Sequence, residues 1–220
     1  MTALEALPEG LVELDFRVTI NFPNLTRKWE PKLQQLETLR LPKFLNERHT
    51  AINLNRCQNL RHLDASMLLK SHCLAIMKRN EAVIRELISF ELPVGFTSII
   101  PFLNRLENIQ RISMETPDKR EILLLLRTLP TLRSLELRNS SSNLTSLTLD
   151  AFQGVFPLRR LSVEGAHLHR SLQYFGTCFP FLEELRVWNC QFETLGETNC
   201  LLHHSGVNLI PLQIWNHLSR

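Results

Sequence analysis

Apolar residues recur along this chain as a six-residue unit, apolar at its first, fourth and sixth positions. The clear copies are Leu36/Leu39/Leu41, Leu60/Leu63, Ile109/Ile112/Met114, Leu132/Leu135/Leu137, Leu158/Leu161/Val163 and Leu182/Leu185/Val187. Fainter ones begin at Leu11, Ile84 and Leu209, and first positions follow one another every 23 to 27 residues. The second half of each unit alternates apolar, polar, apolar, which is the period of a half-buried strand. Between units the spacing turns helical. Asp118 to Leu129 opens on an N-cap residue with Glu121 three positions later, and it stops before Pro130. Met67 to Arg79 and Thr97 to Leu106 read as helices too, the second kinked or delayed by Pro101. Prolines at 130, 157 and 180 end these segments just before the next strand.

A strand and a returning helix repeated at that period predict an α/β solenoid of about nine irregular repeats. The expected form is a curved right-handed arc, with a parallel β-sheet on its concave face and helices on its convex face. It is read as a single domain over residues 1–220, incomplete or uncapped at its C-terminal end, because the last unit runs almost to Arg220. Two places disturb the register. The unit at Ile84/Leu87 keeps the spacing but puts Ser89 in its third apolar slot, whereas Leu87/Phe90/Leu92 fills all three. The spacing favours the first. Leu144/Leu147/Leu149 is an extra unit only 12 residues after Leu132, either a short inserted repeat or the ascending part of an irregular one.

The run Leu182-Glu-Glu-Leu185-Arg-Val187-Trp-Asn-Cys190 matches L-x-x-L-x-L-x-x-C, and Cys57-Gln-Asn-Leu60 matches the C-x-x-L that precedes such a strand. The chain thus resembles leucine-rich-repeat proteins of the cysteine-containing type, and in its irregular repeats the repeat region of fungal F-box/leucine-rich-repeat proteins. Other copies depart from the pattern, with Phe44, Leu68, Pro117, Ser140 and Ala166 in the Asn/Cys slot. The resemblance implies a substrate-recognition role linked to a Skp–cullin ubiquitin ligase. A Skp adaptor and cullin are implied only if the parent protein has an F-box; Leu7-Pro8-Glu9 with Trp29 is a superficial match to one. The alternatives are a regulator or inhibitor of an enzyme, such as a GTPase-activating protein, and a structural scaffold.

Composition narrows the chemistry. A net charge of +3 lacks the one-signed stripe that a phosphate backbone requires, so nucleic acid is not expected as a partner. No stretch is long and apolar enough for a membrane span. Five cysteines without a secretory segment point to free thiols in a reducing compartment, cytoplasmic or nuclear. There is no phosphate-binding loop, zinc-protease motif or nucleophile elbow, so no enzyme, catalytic residue or cofactor is expected. Cys200, His203 and His204 have metal-like spacing but lack a second ligand pair, and no metal site is expected. Cys57, Cys178 and Cys190 are expected as core residues, and Cys73 with His72 lies mid-helix.

Function in such a fold belongs to the outward positions three, five and seven of each unit. They hold both charge signs and suit a protein partner on the concave face. The candidate contact residues are Arg40, Phe90, Arg111, Arg138, Arg160, Arg186, Trp188 and Trp215. Trp188 and Trp215 occupy the same column and read either as binding anchors or as a makeshift cap. The alternating Arg and Glu read equally as cross-strand ion pairs that keep the surface soluble.

Overall fold

The computed structural model describes residues 8, 10–15, 34–41, 53–93, 100–115, 119–138, 145–146, 154–168, 178–188 and 190–192. The chain divides into two compact units, Met1–Ile109 and Gln110–Arg220. In the first, strands β1 (Glu13–Asp15), β2 (Thr38–Arg40), β3 (His62–Asp64) and β4 (Ser89–Leu92) pair in sequence order, all parallel. Helices α1 (Lys70–Arg79), α2 (Glu81–Arg85) and α3 (Ile100–Leu103) complete it. The second has α4 (Lys119–Thr128) and strands β5 (Arg111–Glu115), β6 (Ser134–Arg138), β8 (Arg160–Glu164) and β10 (Glu184–Trp188), again parallel neighbours in that order. A separate parallel sheet contains β7 (Thr145–Ser146), β9 (Ala166–Leu168) and β11 (Gln191–Phe192), with β9 in the middle. The fold is α/β with parallel sheets, as the alternation of periods predicts.

Register follows the six-residue unit position for position. Leu14, Leu39 and Leu63 stand opposite one another in the first unit, and Ile112, Leu135, Leu161 and Leu185 in the second. All are buried, as are first-position residues Leu36, Leu60, Leu132 and Leu158, because a period of two sends them to one face. A one-residue slip would turn every one of them to water. The strands are short, and a repeated bond holds each to the next. The carbonyl of the residue after the first apolar position accepts two N–H groups from the following repeat. Glu37 O accepts from Arg61 and His62, Gln110 O from Arg133 and Ser134, and Arg159 O from Glu183 and Glu184. Just before the strand a tight turn closes, with Leu60 N donating to Cys57 O, Leu132 N to Leu129 O and Leu182 N to Phe179 O.

One sequence expectation on register is corrected. The spacing places the fourth unit at Ile84, but Leu63 pairs with Phe90 and His62 with Ser89, so the unit is Leu87/Phe90/Leu92. Ile84 belongs to α2 and packs in the core from there. Apolar residues three apart serve a helix as well as this unit, and α2 inserts a turn that lengthens the interval. Phe90, placed on the outward face by the spacing, is therefore fully buried, and Ser89 and Glu91 take the outward positions. The extra unit Leu144/Leu147/Leu149 lies outside the described residues, but β6 pairs directly with β8 and Thr145–Ser146 joins the separate sheet, so no inserted strand stands between β6 and β8. Gly165, at φ +66°, provides the left-handed turn by which the chain leaves β8 for β9.

Helix boundaries agree in part. α4 starts at Lys119; its expected cap Asp118 lies outside the described residues. α3 is described over Ile100–Leu103, with Pro101 in its first turn where its missing N–H is harmless, and residues 97–99 of the expected helix lie outside the described residues. α1 has Leu69 as N-cap and no side-chain cap, whereas Lys78 and Arg79 suit its C-terminus. Asn80 then joins α1 to α2, fully buried. Its side-chain amide donates to Ile76 O at 2.8 Å, and its Oδ1 accepts from Leu54 N at 2.6 Å, a residue of the preceding repeat.

Three cysteines are core residues. Cys57, Cys73 and Cys178 are buried, and burial pushes the thiols of Cys57 and Cys73 up to about 11 and about 12. A folded-state value above the unfolded one means the native protein holds its protons more tightly. The associated stability is present below the ordinary thiol range and declines as pH rises from there toward 11. Iodoacetamide at pH 8 is expected to leave Cys57 and Cys73 unmodified in the native protein and to alkylate both after denaturation, read by peptide mass spectrometry. Cys190 departs from the expectation. It is only part-buried, and its thiol donates to Val163 O at 3.6 Å, supplying the polar link its slot requires.

Candidate partner-binding face

Each strand sends its odd outward positions to the face opposite the leucines, and parallel pairing lines them up in rows. In the second unit one row reads Arg111, Ser134, Arg160, Glu184. The next reads Ser113, Glu136, Ser162, Arg186, and Glu115 stands beside Arg138 and Glu164 beside Trp188. In the first unit Glu13, Thr38, His62 and Ser89 form one row, and Asp15, Arg40, Asp64 and Glu91 the next. Strand spacing of about 4.8 Å puts neighbouring residues of a row within reach of each other's side chains.

The charges use that proximity. Arg40 bonds Glu13 across the strand pair and Asp15 at 3.2 Å. Burial alone would lower its pKa, but the Glu13 hydrogen bond and the charges of Glu13 and Asp15 raise it above the ordinary arginine value. Arg138 pairs with Glu136 at 2.8 Å, two residues back on its own strand. Glu184 lies between Arg186, on its strand, and Arg160, at 3.4 Å on the neighbouring strand. Arg40, Arg138, Arg160 and Arg186 therefore all carry carboxylate partners, as the ion-pair reading anticipates. These pairs lie at a partly exposed surface, and each contributes about 0–1 kcal/mol to stability. Arg40→Ala is accordingly expected to lower stability by under about 1 kcal/mol in urea denaturation.

Arg111 differs. It is exposed, and among the described residues it is an outward arginine with no ion pair. Its cross-strand neighbour is Ser134, and Glu136, diagonally placed, is taken by Arg138. Ser162 adds a second unsatisfied group on the same face. Its Oγ is buried between the positions of Glu136 and Arg186, without a hydrogen-bond partner. Phe90, as described above, is core and leaves the candidate set. Trp188 ends β10 beside Glu164, and Trp215 lies outside the described residues.

The rows depend on residues that sequence reasoning passed over. Arg61 and Arg133 occupy the position after the first leucine and turn back onto the turn that precedes their strands. Arg61 Nη1 donates to Gln58 O and Leu60 O, and Arg133 Nη1 to Pro130 O and Leu132 O. Arg159, in the same slot, instead pairs with Glu183. The signal was visible: Leu60-Arg61, Leu132-Arg133 and Leu158-Arg159 share one position of the unit.

Among the described residues no three His, Cys, Asp or Glu side chains cluster to hold a metal, and no helix is long and apolar enough to cross a membrane. Cys200, His203 and His204 lie outside those residues. No family model matches the chain, and no curated protein is significantly similar to it.

Proposed function

We propose that this protein is a non-enzymatic interaction module that binds a protein partner on the outward face of its parallel strands. The observation that carries the reading is the register of β5, β6, β8 and β10, which aligns polar residues of both signs into rows. Interleaved signs suit a folded or extended polypeptide, whose own charges alternate, better than a polyanion. The intramolecular pairs at Arg138 and Arg186 hold their guanidinium groups in place, so less side-chain entropy is lost when a partner arrives.

The biological role follows the resemblance to F-box/leucine-rich-repeat proteins: recognition of substrates for a Skp–cullin ubiquitin ligase. The free thiols of Cys57, Cys73 and Cys178 support a reducing compartment, the cytoplasm or the nucleus.

The interaction reading is tested by affinity capture from cells with the whole chain and its Ser134→Trp variant, followed by rebinding of the purified partner. Tryptophan suits a strand and projects from the outward face at the first residue of β6. Partner binding is expected to fall at least about tenfold while the circular dichroism spectrum is unchanged. Unchanged binding by the variant would place the partner elsewhere and sink the proposal. Co-elution of a Skp adaptor and cullin with the full-length parent tests the ligase role, and their consistent absence removes it.

A further inference from the structure

We infer that the strand-entry edge of the second unit's outward face, at Arg111, Ser134 and Arg160, receives an acidic, extended segment of the partner. The inference rests on the outward-face reading above and adds the chemistry of what sits there.

The row of β5, β6 and β8 begins Arg111, Ser134, Arg160, three adjacent positions in register. Arg111 is exposed and, among the described residues, has no carboxylate partner. Arg160 is 59% exposed and holds Glu184 only at 3.4 Å, and Glu184 is already bonded by Arg186. Loss of the Arg160 contact would thus leave Glu184 paired. One free guanidinium and one loosely held guanidinium flank a serine hydroxyl, so two carboxylates can bind without breaking a pair that nothing else replaces.

Geometry limits the spacing of those carboxylates. Arg111 and Arg160 stand two strand intervals apart, about 9.6 Å along the row. In a polyproline II segment, residues three apart lie on one side at about 9 Å, a close match. Charge separates this ligand from a nucleic acid. Glu115, Glu136, Glu164 and Glu184 lie on the same face and would repel a continuous phosphate chain, whereas a peptide with two separated carboxylates passes between them.

The test uses the whole chain and a peptide labelled at its N-terminus, fluorescein-Pro-Glu-Pro-Pro-Glu-Pro-amide, followed by fluorescence polarisation at low salt. The control peptide carries Gln in place of both Glu. Expected is binding of the Glu peptide, with the Arg111→Glu variant weaker by about tenfold, the loss of one charge-assisted contact, and the Gln peptide, which loses two, weaker by about a hundredfold. Arg127→Glu, the same charge change on exposed α4, is expected to bind as wild type does. Equal binding of both peptides, or equal weakening by Arg127→Glu, overturns the inference. A labelled thymidine oligonucleotide that binds more tightly than the Glu peptide overturns it in favour of nucleic acid. The two proposals fail separately. If Ser134→Trp abolishes capture of the purified partner but the Glu peptide never binds, only the acidic segment is lost. If Ser134→Trp leaves partner capture intact, the face itself is lost.

Discussion

Phe90→Ala is expected to destabilise the protein by about 3–5 kcal/mol, the cost of emptying an aromatic site in a packed core. The ring is fully buried, and it faces Leu63 in the same column as Leu39 and Leu14. Ile84 on α2 and Leu92 on the same strand are buried too, and a close-packed core relaxes only partly around a deleted ring. Glu86→Ala provides the contrast. The six-residue spacing gives Glu86 and Phe90 equivalent outward roles, but Glu86 is an exposed helix C-cap. Its loss is expected to stay within about 0.5 kcal/mol. Urea denaturation of both variants measures the difference. A Phe90→Ala cost as small as that of Glu86→Ala would restore the unshifted register and return Phe90 to the surface.

Asn80→Leu is expected to cost about 2–3 kcal/mol, although leucine is close in size and apolar surroundings would ordinarily welcome it. The asparagine side chain is the hydrogen-bond partner of Leu54 N and Ile76 O, both buried with it. Its main chain works as well, with Asn80 N donating to Ile76 O, and Asn80 O accepting from Val83 N and Ile84 N. A leucine leaves Leu54 N–H unsatisfied away from water, and that penalty exceeds the added hydrophobic contact. Asn80→Asp separates the two bonds. It keeps the acceptor for Leu54 N but replaces the amide donor to Ile76 O with a buried carboxylate oxygen. It is expected to be at least as destabilising near pH 7 and to recover in part as pH falls and the carboxyl is protonated. A denaturation series across pH 4–8 reads this, and a flat profile would argue that the Ile76 contact contributes nothing.

Asn80 shows why part of the fold was not legible. Nothing local marks it; Arg79-Asn80-Glu81 reads as an ordinary polar stretch ending a helix. Its value lies in meeting Leu54, 26 residues earlier, and that meeting exists only once two repeats stack. The partnership of Cys190 with Val163 O is of the same kind, 27 residues apart. By contrast, the strands at Leu39, Leu63, Leu135, Leu161 and Leu185 were readable from their own six residues. Alternation with period two determines which side of a strand is buried whatever it packs against.

The candidate face was legible as a set of positions and less so as a set of interactions. Arg40, Arg111, Arg138, Arg160 and Arg186 all stand on described strands at outward positions. Their spacing alone left them equivalent. Pairing made four of them partners of Glu13, Glu136 and Glu184 and left Arg111 without one. That distinction depends on which acidic residue stands opposite in the neighbouring repeat, and therefore on register.

The sequence by itself determined that parallel strands alternate with helical segments, that the leucines and two of the cysteines, Cys57 and Cys178, are core, and which positions of most strands face outward. Hydrophobic period is a local property and survives any choice of neighbour. Only the tertiary structure decided that the fourth unit is Leu87/Phe90/Leu92 rather than Ile84/Leu87, that Thr145–Ser146 joins a separate sheet, and that Asn80 bridges two repeats. Each of these choices is made between residues more than 20 positions apart. There the free energy of burying a side chain or satisfying a backbone group selects among registers that local periodicity leaves nearly equal.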